Sequence, residues 1–407
     1  MLEVHEAREL ILRSFEPLAP ENKKVGDALG HVVSEDLEAP HALPRFDNSG
    51  MDGYAVRAED VAGASEAAPV SLEIAGEVAA GFSSDETLQA GTAVRIMTGA
   101  PVPPGADAIV PVEVTDESGS VVLVSAASSL GEHVRPAGDD VTEGAIVVRA
   151  GDLLGPGELA LLASLGLSPV PVHPRPRVAV VTTGAELVSP EEEPGPGQIR
   201  DSNSVALRSL VTEAGGIPVP FAAVGDDLRS TEEVLAAAAA SADLVISSGG
   251  VSVGRYDFVK EAVERSGRID FWRVAMQPGK PVVSGRVHAT PFLGLPGNPV
   301  SIHIGFEQFV RPAIRRMRGC ADLLRPVMPA ILTEGLTKRP GRLHFVRIAL
   351  SWSGDELVAT PLGKQGSHIQ SSLIGCDGLV RFPIEATELP SGERVTTEVW
   401  RLPGRSE

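Results

Sequence analysis

The sequence predicts a multi-domain protein that combines an α/β domain with β-rich domains, and three observations predict it. Between residue 177 and about residue 318, short apolar runs alternate with helix-period segments, the pattern of a doubly wound domain with a mainly parallel sheet. From about residue 70 to 124, and again beyond Pro326, the pattern changes to short alternating strands separated by Gly and Pro. The 43 glycines and 33 prolines cluster at turns and form no low-complexity tract, and 407 residues suffice for two to four domains.

Charge and cysteine content narrow the function classes. The net charge is -19, with no run of five or six basic residues, so the footprint of a nucleic-acid or anionic-membrane binder is absent. An anionic small molecule must then be held by local groups. The only cysteines, Cys320 and Cys376, lack the spacing of a redox or zinc motif and read as unpaired thiols in a reducing compartment. The acidic N-terminus, Met1 to Ala7, lacks the apolar core of a signal peptide, and no apolar stretch approaches the roughly 18 residues of a membrane span. The expected location is the cytoplasm.

Taken in order, Val4, Ala7, Leu10, Ile11 and Phe15 recur at helical spacing and predict an amphipathic first helix. A second short helix is expected near Val25 to Val33. Residues 44–56 follow, Pro-Arg-Phe-Asp-Asn-Ser-Gly-Met-Asp-Gly-Tyr-Ala-Val, dense enough in Asp, Asn, Ser and Gly to make a tight turn presenting polar side chains. Read alone, that turn is also an ordinary hairpin entry. Within the β-rich stretch, Arg95 to Ala100 ends a strand on a hydroxyl and a glycine, and Arg135 to Asp140 brings a cation and two acids into one turn. Read alone, each is a surface loop. A helix is predicted from Pro156 to Leu165, with Pro just inside its start and Gly166 just past its end. Residues 169–177, with four prolines, read as a stiff linker at a domain boundary.

The α/β stretch carries the chemistry. Its strands end in Thr183-Gly184-Ala185-Glu186, in Gly225-Asp226-Asp227, in Ser247 to Asp257, and in Pro296-Gly297-Asn298-Pro299-Val300-Ser301. Parallel sheets bind ligands outside the carboxyl ends of their strands, where such loops converge. The glycine-rich run after Ile246 leaves unpaired backbone N–H groups suited to an oxyanion, and Thr183, Ser248, Ser252 and Ser301 add donors. Asp227 directly precedes a helical run and reads as its N-cap, which leaves Asp226 to face the site. Carboxylates beside an anion cradle repel the anion unless they bind a divalent cation or accept hydrogen bonds from an amine-bearing ring. A ligand with a phosphate, a metal ion and a heterocycle satisfies these requirements. The glycine spacing matches neither the dinucleotide fingerprint nor the Walker loop. Lys280, set between Gly279 and Pro281, reads as a fixed point charge for an oxyanion or as a solvated turn lysine. The histidines show no ligand spacing, so a structural transition-metal site and a serine-hydrolase triad have no support.

Five of these segments together carry a resemblance: residues 47–55, 95–100, 248–254, 278–281 and 294–301. They resemble, in order and over essentially the whole chain, the MoeA family of molybdopterin molybdenumtransferases, which is similar also to the E domain of gephyrin. The resemblance implies an elongated homodimer of four-domain chains. It places a discontinuous N-terminal domain at 1–43 and 141–174, an inserted β-rich domain at 44–140, a MogA-like α/β domain at 175–325, and a C-terminal β-barrel at 326–407. It implies insertion of molybdenum from molybdate into adenylylated molybdopterin, with release of AMP, Mg2+ as cofactor and a MogA-like adenylyltransferase as partner.

By motif, the resemblance assigns Asp52, Thr98, Arg135 and Asp140 to the inserted domain's share of the site. Glu186, Asp226 and Asp257 form the acidic, metal-holding group; with Asp52 and Thr98 they are the implied catalytic residues. Thr183, Ser248, Gly249, Gly250 and Ser252, with Pro296, Gly297, Asn298, Pro299 and Ser301, cradle the pterin nucleotide. Lys280, Ser301, Arg342 and Ser367 hold molybdate. The sequence departs from many relatives at Gln277, where a second lysine is usual, which removes one positive charge. Two alternatives stand beside this reading: a homologue that inserts tungsten, and a non-catalytic scaffold like gephyrin.

Overall fold

The computed structural model describes residues 1–223, 225, 227–250 and 258–404, and divides into two compact units. The first comprises Met1–Ser34, Gly151–Gly155 and Pro169–Glu407, the second Glu35–Ala150 and Pro156–Ser168.

The first unit opens with the helix Val4–Leu12, which buries Val4, Ala7 and Ile11 and is started by a reciprocal capping box between Glu3 and Glu6. Leu10, also at helical spacing, is 41% exposed and lies off the buried face. Two expectations fail nearby. Val25–Asp27 is a single 3₁₀ turn, and Val32–Val33 is a strand. Gly26 and Gly30 break the run, and Gly30 takes a φ of +69° that no helix accepts. The proline-rich stretch also contains a strand, Val170–His173, central in a three-stranded sheet between Glu21–Lys23 and Val32–Val33. Val170 and Val172 alternate into the core, and that period outweighs the stiffness read from the prolines.

The α/β domain is built from β1 (Arg177–Thr182), α1 (Ser202–Glu213), β2 (Ile217–Pro220), α2 (Leu228–Ser241), β3 (Leu244–Ser248), α3 (Phe258–Ser266), β4 (Gly267–Trp272), β5 (Val283–Val287), β6 (Thr290–Leu295) and α4 (Pro299–Gly305). The sheet order is β2-β1-β3-β6-β5-β4; the first four strands are parallel, and β5 and β4 extend the sheet antiparallel. Both faces of the parallel part are buried. Val178, Val180, Leu244, Ile246, Leu293 and Leu295 point into one apolar core, while Ala179, Val181, Val245 and Phe292 point into another. This is why these strands read as unbroken apolar runs. Full burial of each large side chain contributes about 1.5–3 kcal/mol.

Beyond α4 the chain continues as a π-helical turn, Phe306–Val310, and the helix Arg311–Met317. The C-terminal strands β7 (Val327–Leu332), β8 (Leu343–Ser353), β9 (Glu356–Pro361), β10 (Gly378–Phe382) and β11 (Arg394–Val399) close into a five-stranded barrel in the order β8-β9-β7-β11-β10, with β10 returning to β8. Its interior holds Ala330, Val346, Ile348, Leu357, Val380 and Phe382. The two-residue strand Met276–Gln277 runs parallel to the start of β8, pairing with Leu343 and His344. That pairing carries the Gln277–Pro281 turn to the mouth of the barrel.

The second unit holds a six-stranded sheet in the order Ala108–Pro111, Gly53–Val56, Thr92–Ile96, Val70–Val78, Val121–Val124 and Thr115–Ser118. Gly53 is required there, since a Cβ would fall 2.0 Å from the Val110 carbonyl oxygen. The predicted helix forms as Pro156–Ser164. Cys320 and Cys376 are free, and among the described residues no helix is long and apolar enough to cross a membrane.

Candidate active site

A cavity of about 860 Å³ opens in the first unit where β1, β3 and β6 end. Of the sequence-predicted residues, Thr183, Glu186, Gly249, Gly250, Lys280, Pro296, Gly297, Asn298, Pro299, Ser301, Arg342 and Ser367 line it. Asp226, Ser252 and Asp257 lie outside the described residues.

Each wall follows from local backbone chemistry. The β3 strand ends at Ser248, and Gly249 and Gly250 then take φ of +87° and +67°. A Cβ on Gly250 would fall 2.3 Å from Val259 Cγ2 of α3, so only glycine permits the strand to enter its loop here. The expectation of unpaired amides is corrected at Gly249, whose N–H donates to the Leu295 carbonyl at 3.0 Å. The β3–β6 ladder thus continues one residue past the strand. Ser248 is buried and lies behind the cavity wall, where its Oγ accepts from Asn203 Nδ2 at 3.0 Å. Glu186 is exposed, and its carboxylate lies over Gly184, where a Cβ would meet its oxygens at 2.5 and 2.6 Å.

The lining also carries cations. The Lys280 turn is fixed by the Val274 N–H donating to the Lys280 carbonyl at 2.9 Å, and Gly279 supplies a φ of +98°. Arg342 stands just before β8. Among the described residues neither Lys280 nor Arg342 forms an ion pair, whereas Arg200, a third lining cation, is tied to Glu193 at 2.7 Å. Ser301 is buried in α4 and lines the cavity. Ser367 is held on both sides, its Oγ accepting from Asn298 Nδ2 at 3.1 Å and its carbonyl from the Val300 N–H at 3.2 Å. Gln277 lines the same cavity.

Several supporting residues escaped the sequence reading. Asp201 caps α1 by accepting from the Ser204 N–H at 3.0 Å and accepts from Thr182 Oγ1 at 2.7 Å, which fixes α1 to the end of β1. An Asp-Ser-Asn run before a helical segment is a cap signal, so Asp201 had a sequence signature. Arg347 had none. It is fully buried on β8, and its Nη2 donates to the carbonyls of Lys364 and Gly366 at 3.2 and 3.3 Å, while its backbone grips the Gln365 amide. That network sets the loop presenting Gly366 and Ser367. The expected cap at Asp227 is present, its Oδ1 accepting from the Ser230 N–H at 2.9 Å.

In the second unit, the three motif loops meet. Asp52 Oδ1 accepts from both the N–H and the hydroxyl of Thr98 at 2.7 Å. These bonds, the backbone one first, hold the Asp52 carboxyl below the usual carboxylate range. Arg135 pairs across a short ladder with Asn48, and the Gly50 N–H donates to the His133 carbonyl at 2.8 Å. Asp140 is exposed and its N–H donates to the Leu43 carbonyl.

Chemically, the first-unit cavity offers two cations without an ion pair among the described residues, hydroxyl donors, glycine loops and an open carboxylate. The cations and hydroxyls suit an oxyanion, the glycine loops a phosphate. Among the described residues no three His, Cys, Asp or Glu side chains come together as metal ligands, and Glu186 is the one described member of the expected acidic group.

Comparison with known proteins agrees with this chemistry. Three family models match in order: "MoeA N-terminal region (domain I and II)" over residues 2–166, "Probable molybdopterin binding domain" over 179–316, and "MoeA C-terminal region (domain IV)" over 329–400. The chain is 42% identical over 408 residues to molybdopterin molybdenumtransferase 2 of Mycobacterium tuberculosis, covering 99% of this chain and 100% of the relative. Two solved structures of molybdopterin biosynthesis MoeA proteins from Pyrococcus horikoshii are similar at TM-scores of 0.86 and 0.82, with 33% and 29% identity. Each covers 98% of this chain, which covers 99% and 100% of theirs.

Proposed function

Because the chain belongs to the MoeA family, enzymes of molybdenum cofactor biosynthesis, we propose that it transfers molybdenum from molybdate to adenylylated molybdopterin and releases AMP. The observation that carries the reading is that Lys280 and Arg342, both without an ion pair among the described residues, line one cavity with Ser301, Ser367, Gly249, Gly250 and Gly297. A dianion beside a nucleotide phosphate requires fixed cations and donors on one side and close backbone approach on the other.

In this reading Lys280, Arg342, Ser301 and Ser367 hold molybdate. Thr183, Gly249, Gly250, Pro296, Gly297, Asn298 and Pro299 receive the pterin nucleotide, and Ser248 and Ser252 belong to the same cradle. Mg2+ would be held by Glu186, Asp226 and Asp257, supplying charge neutralisation at the phosphate; the open Glu186 carboxylate suits such an ion, and phosphate oxygens and water would complete its shell. Asp52, Thr98, Arg135 and Asp140 are proposed as a further group acting on the substrate. Catalysis is then placement and charge stabilisation, with no covalent protein nucleophile.

The domain scheme with an inserted β-rich domain, the elongated homodimer and a MogA-like adenylyltransferase that supplies the substrate belong to the same proposal. Purified protein given adenylylated molybdopterin, Mg2+ and molybdate should release AMP only when molybdate is present. Release that ignores molybdate, or none at all, would contradict the proposal. Substituting tungstate in the same assay separates the tungsten-inserting alternative.

A further inference from the structure

The backbone ladder between β3 and β6 ends, among the described residues, at the bond from the Gly249 N–H to the Leu295 carbonyl. Beyond it the two glycine loops lie against each other, since a Cβ on Gly297 would sit 3.8 Å from Gly249 Cα. No backbone hydrogen bond between described residues joins them there. One side chain does. Asn203 Nδ2 donates to Ser248 Oγ at 3.0 Å and to the Gly297 carbonyl at 2.8 Å, which commits both of its protons.

Asn203 is itself anchored. It stands in the first turn of α1, whose cap Asp201 is buried and bonded to Thr182 at the end of β1. A path of hydrogen bonds and helix backbone therefore runs from the end of β1, through Asp201 and the first turn of α1, to the ends of β3 and β6. We propose that Asn203 is a positioning residue that sets the spacing of the two glycine loops and thereby the affinity of the cavity for a nucleotide phosphate. This rests on the reading of the cavity given above. A glycine offers a phosphate only its backbone, so its placement must come from outside, and a displacement of a fraction of an ångström costs a charge-assisted hydrogen bond much of its strength. Asn203→Asp keeps the size but puts an oxygen against the Gly297 carbonyl, and Asn203→Ala removes the bridge.

The test uses AMP as the probe and calorimetry as the readout, with the folded fraction followed by circular dichroism. Asn203→Asp and Asn203→Ala should each weaken AMP binding about tenfold while the protein stays folded. If either variant fails to fold, the other carries the test, supplemented by Ser248→Ala, which removes one of the two acceptors. A double-mutant cycle between Asn203→Ala and Ser248→Ala should be non-additive in AMP affinity. Wild-type affinity in the Asn203 variants, or an additive cycle, overturns the inference while leaving the reading of the cavity standing. A wild-type protein that binds no AMP overturns both together.

Discussion

At the residue scale, function depends on a few groups whose charge state the fold controls. Asp52 is exposed, yet two hydrogen bonds from Thr98 hold its carboxyl down. Thr98→Val keeps the N–H and removes the hydroxyl, so it should raise the Asp52 titration part of the way toward the ordinary carboxylate value, as followed by NMR; an unmoved titration would show that the hydroxyl contributes nothing. Because the folded value is depressed, the small stabilisation involved is present above the unfolded pKa and fades as pH falls through the folded one. His344 loses stability in the same direction for a different reason, since there the neutral form is the one the fold favours. It is buried, and burial first, then the charges of Arg347, Lys338 and Arg342, pushes its pKa from 6.5 down to about 4. The unfolded chain then takes up the proton first, so stability falls as pH drops from 6.5 toward 4, by on the order of 3 kcal/mol if the full shift is realised. Urea midpoints at pH 7 and pH 5 should separate more for the native protein than for His344→Leu. Equal separation would show that His344 does not set the acid sensitivity.

At the element scale, the strand-to-loop transitions decide the site. Gly250→Ala adds a Cβ at a φ of +67° that also collides with Val259. It should cost about 1–3 kcal/mol in thermal unfolding and weaken AMP binding; a variant with native stability and affinity would show that the loop has room for a side chain. Asp201→Ala should cost about 1 kcal/mol from the lost cap, and more because Thr182 Oγ1 loses its buried partner. The sequence disclosed these elements unevenly. The β3 run Leu244 to Ile246 was legible because both its faces are buried, and the Asp227 cap because a cap is a local event. Val170–His173 was not, because its strand character comes from partners about 140 to 150 residues away in the chain. Val25–Val33 misled because valine suits a helix face and a strand alike, and only Gly30 decides. Arg347 and Asn203 were illegible for a related reason. Their work is done on loops that the fold alone brings near.

At the scale of the whole molecule, the cavity of the first unit joins residues from β1 to the loop before α4 with residues of the barrel domain. The short pairing of Met276–Gln277 with β8 brings Lys280 and Arg342 to one cavity, and the Asn298–Ser367 bond fastens the barrel loop to the turn before α4. Membership of the MoeA family and a molybdenum-handling role were legible because five motifs occur in order along the chain. The cation pair was legible only in part, since the sequence showed a turn lysine without showing that, among the described residues, no carboxylate pairs with it. The proposed molybdate site rests most directly on that pair. The decisive measurement is the molybdate dependence of AMP release from adenylylated molybdopterin, compared between the native protein, Lys280→Ala and Arg342→Ala. Loss of one charge-assisted contact should raise the KM for molybdate by about ten- to a hundredfold in each variant, with the KM for the pterin nucleotide within about twofold of native. Native molybdate KM in both variants would contradict the account.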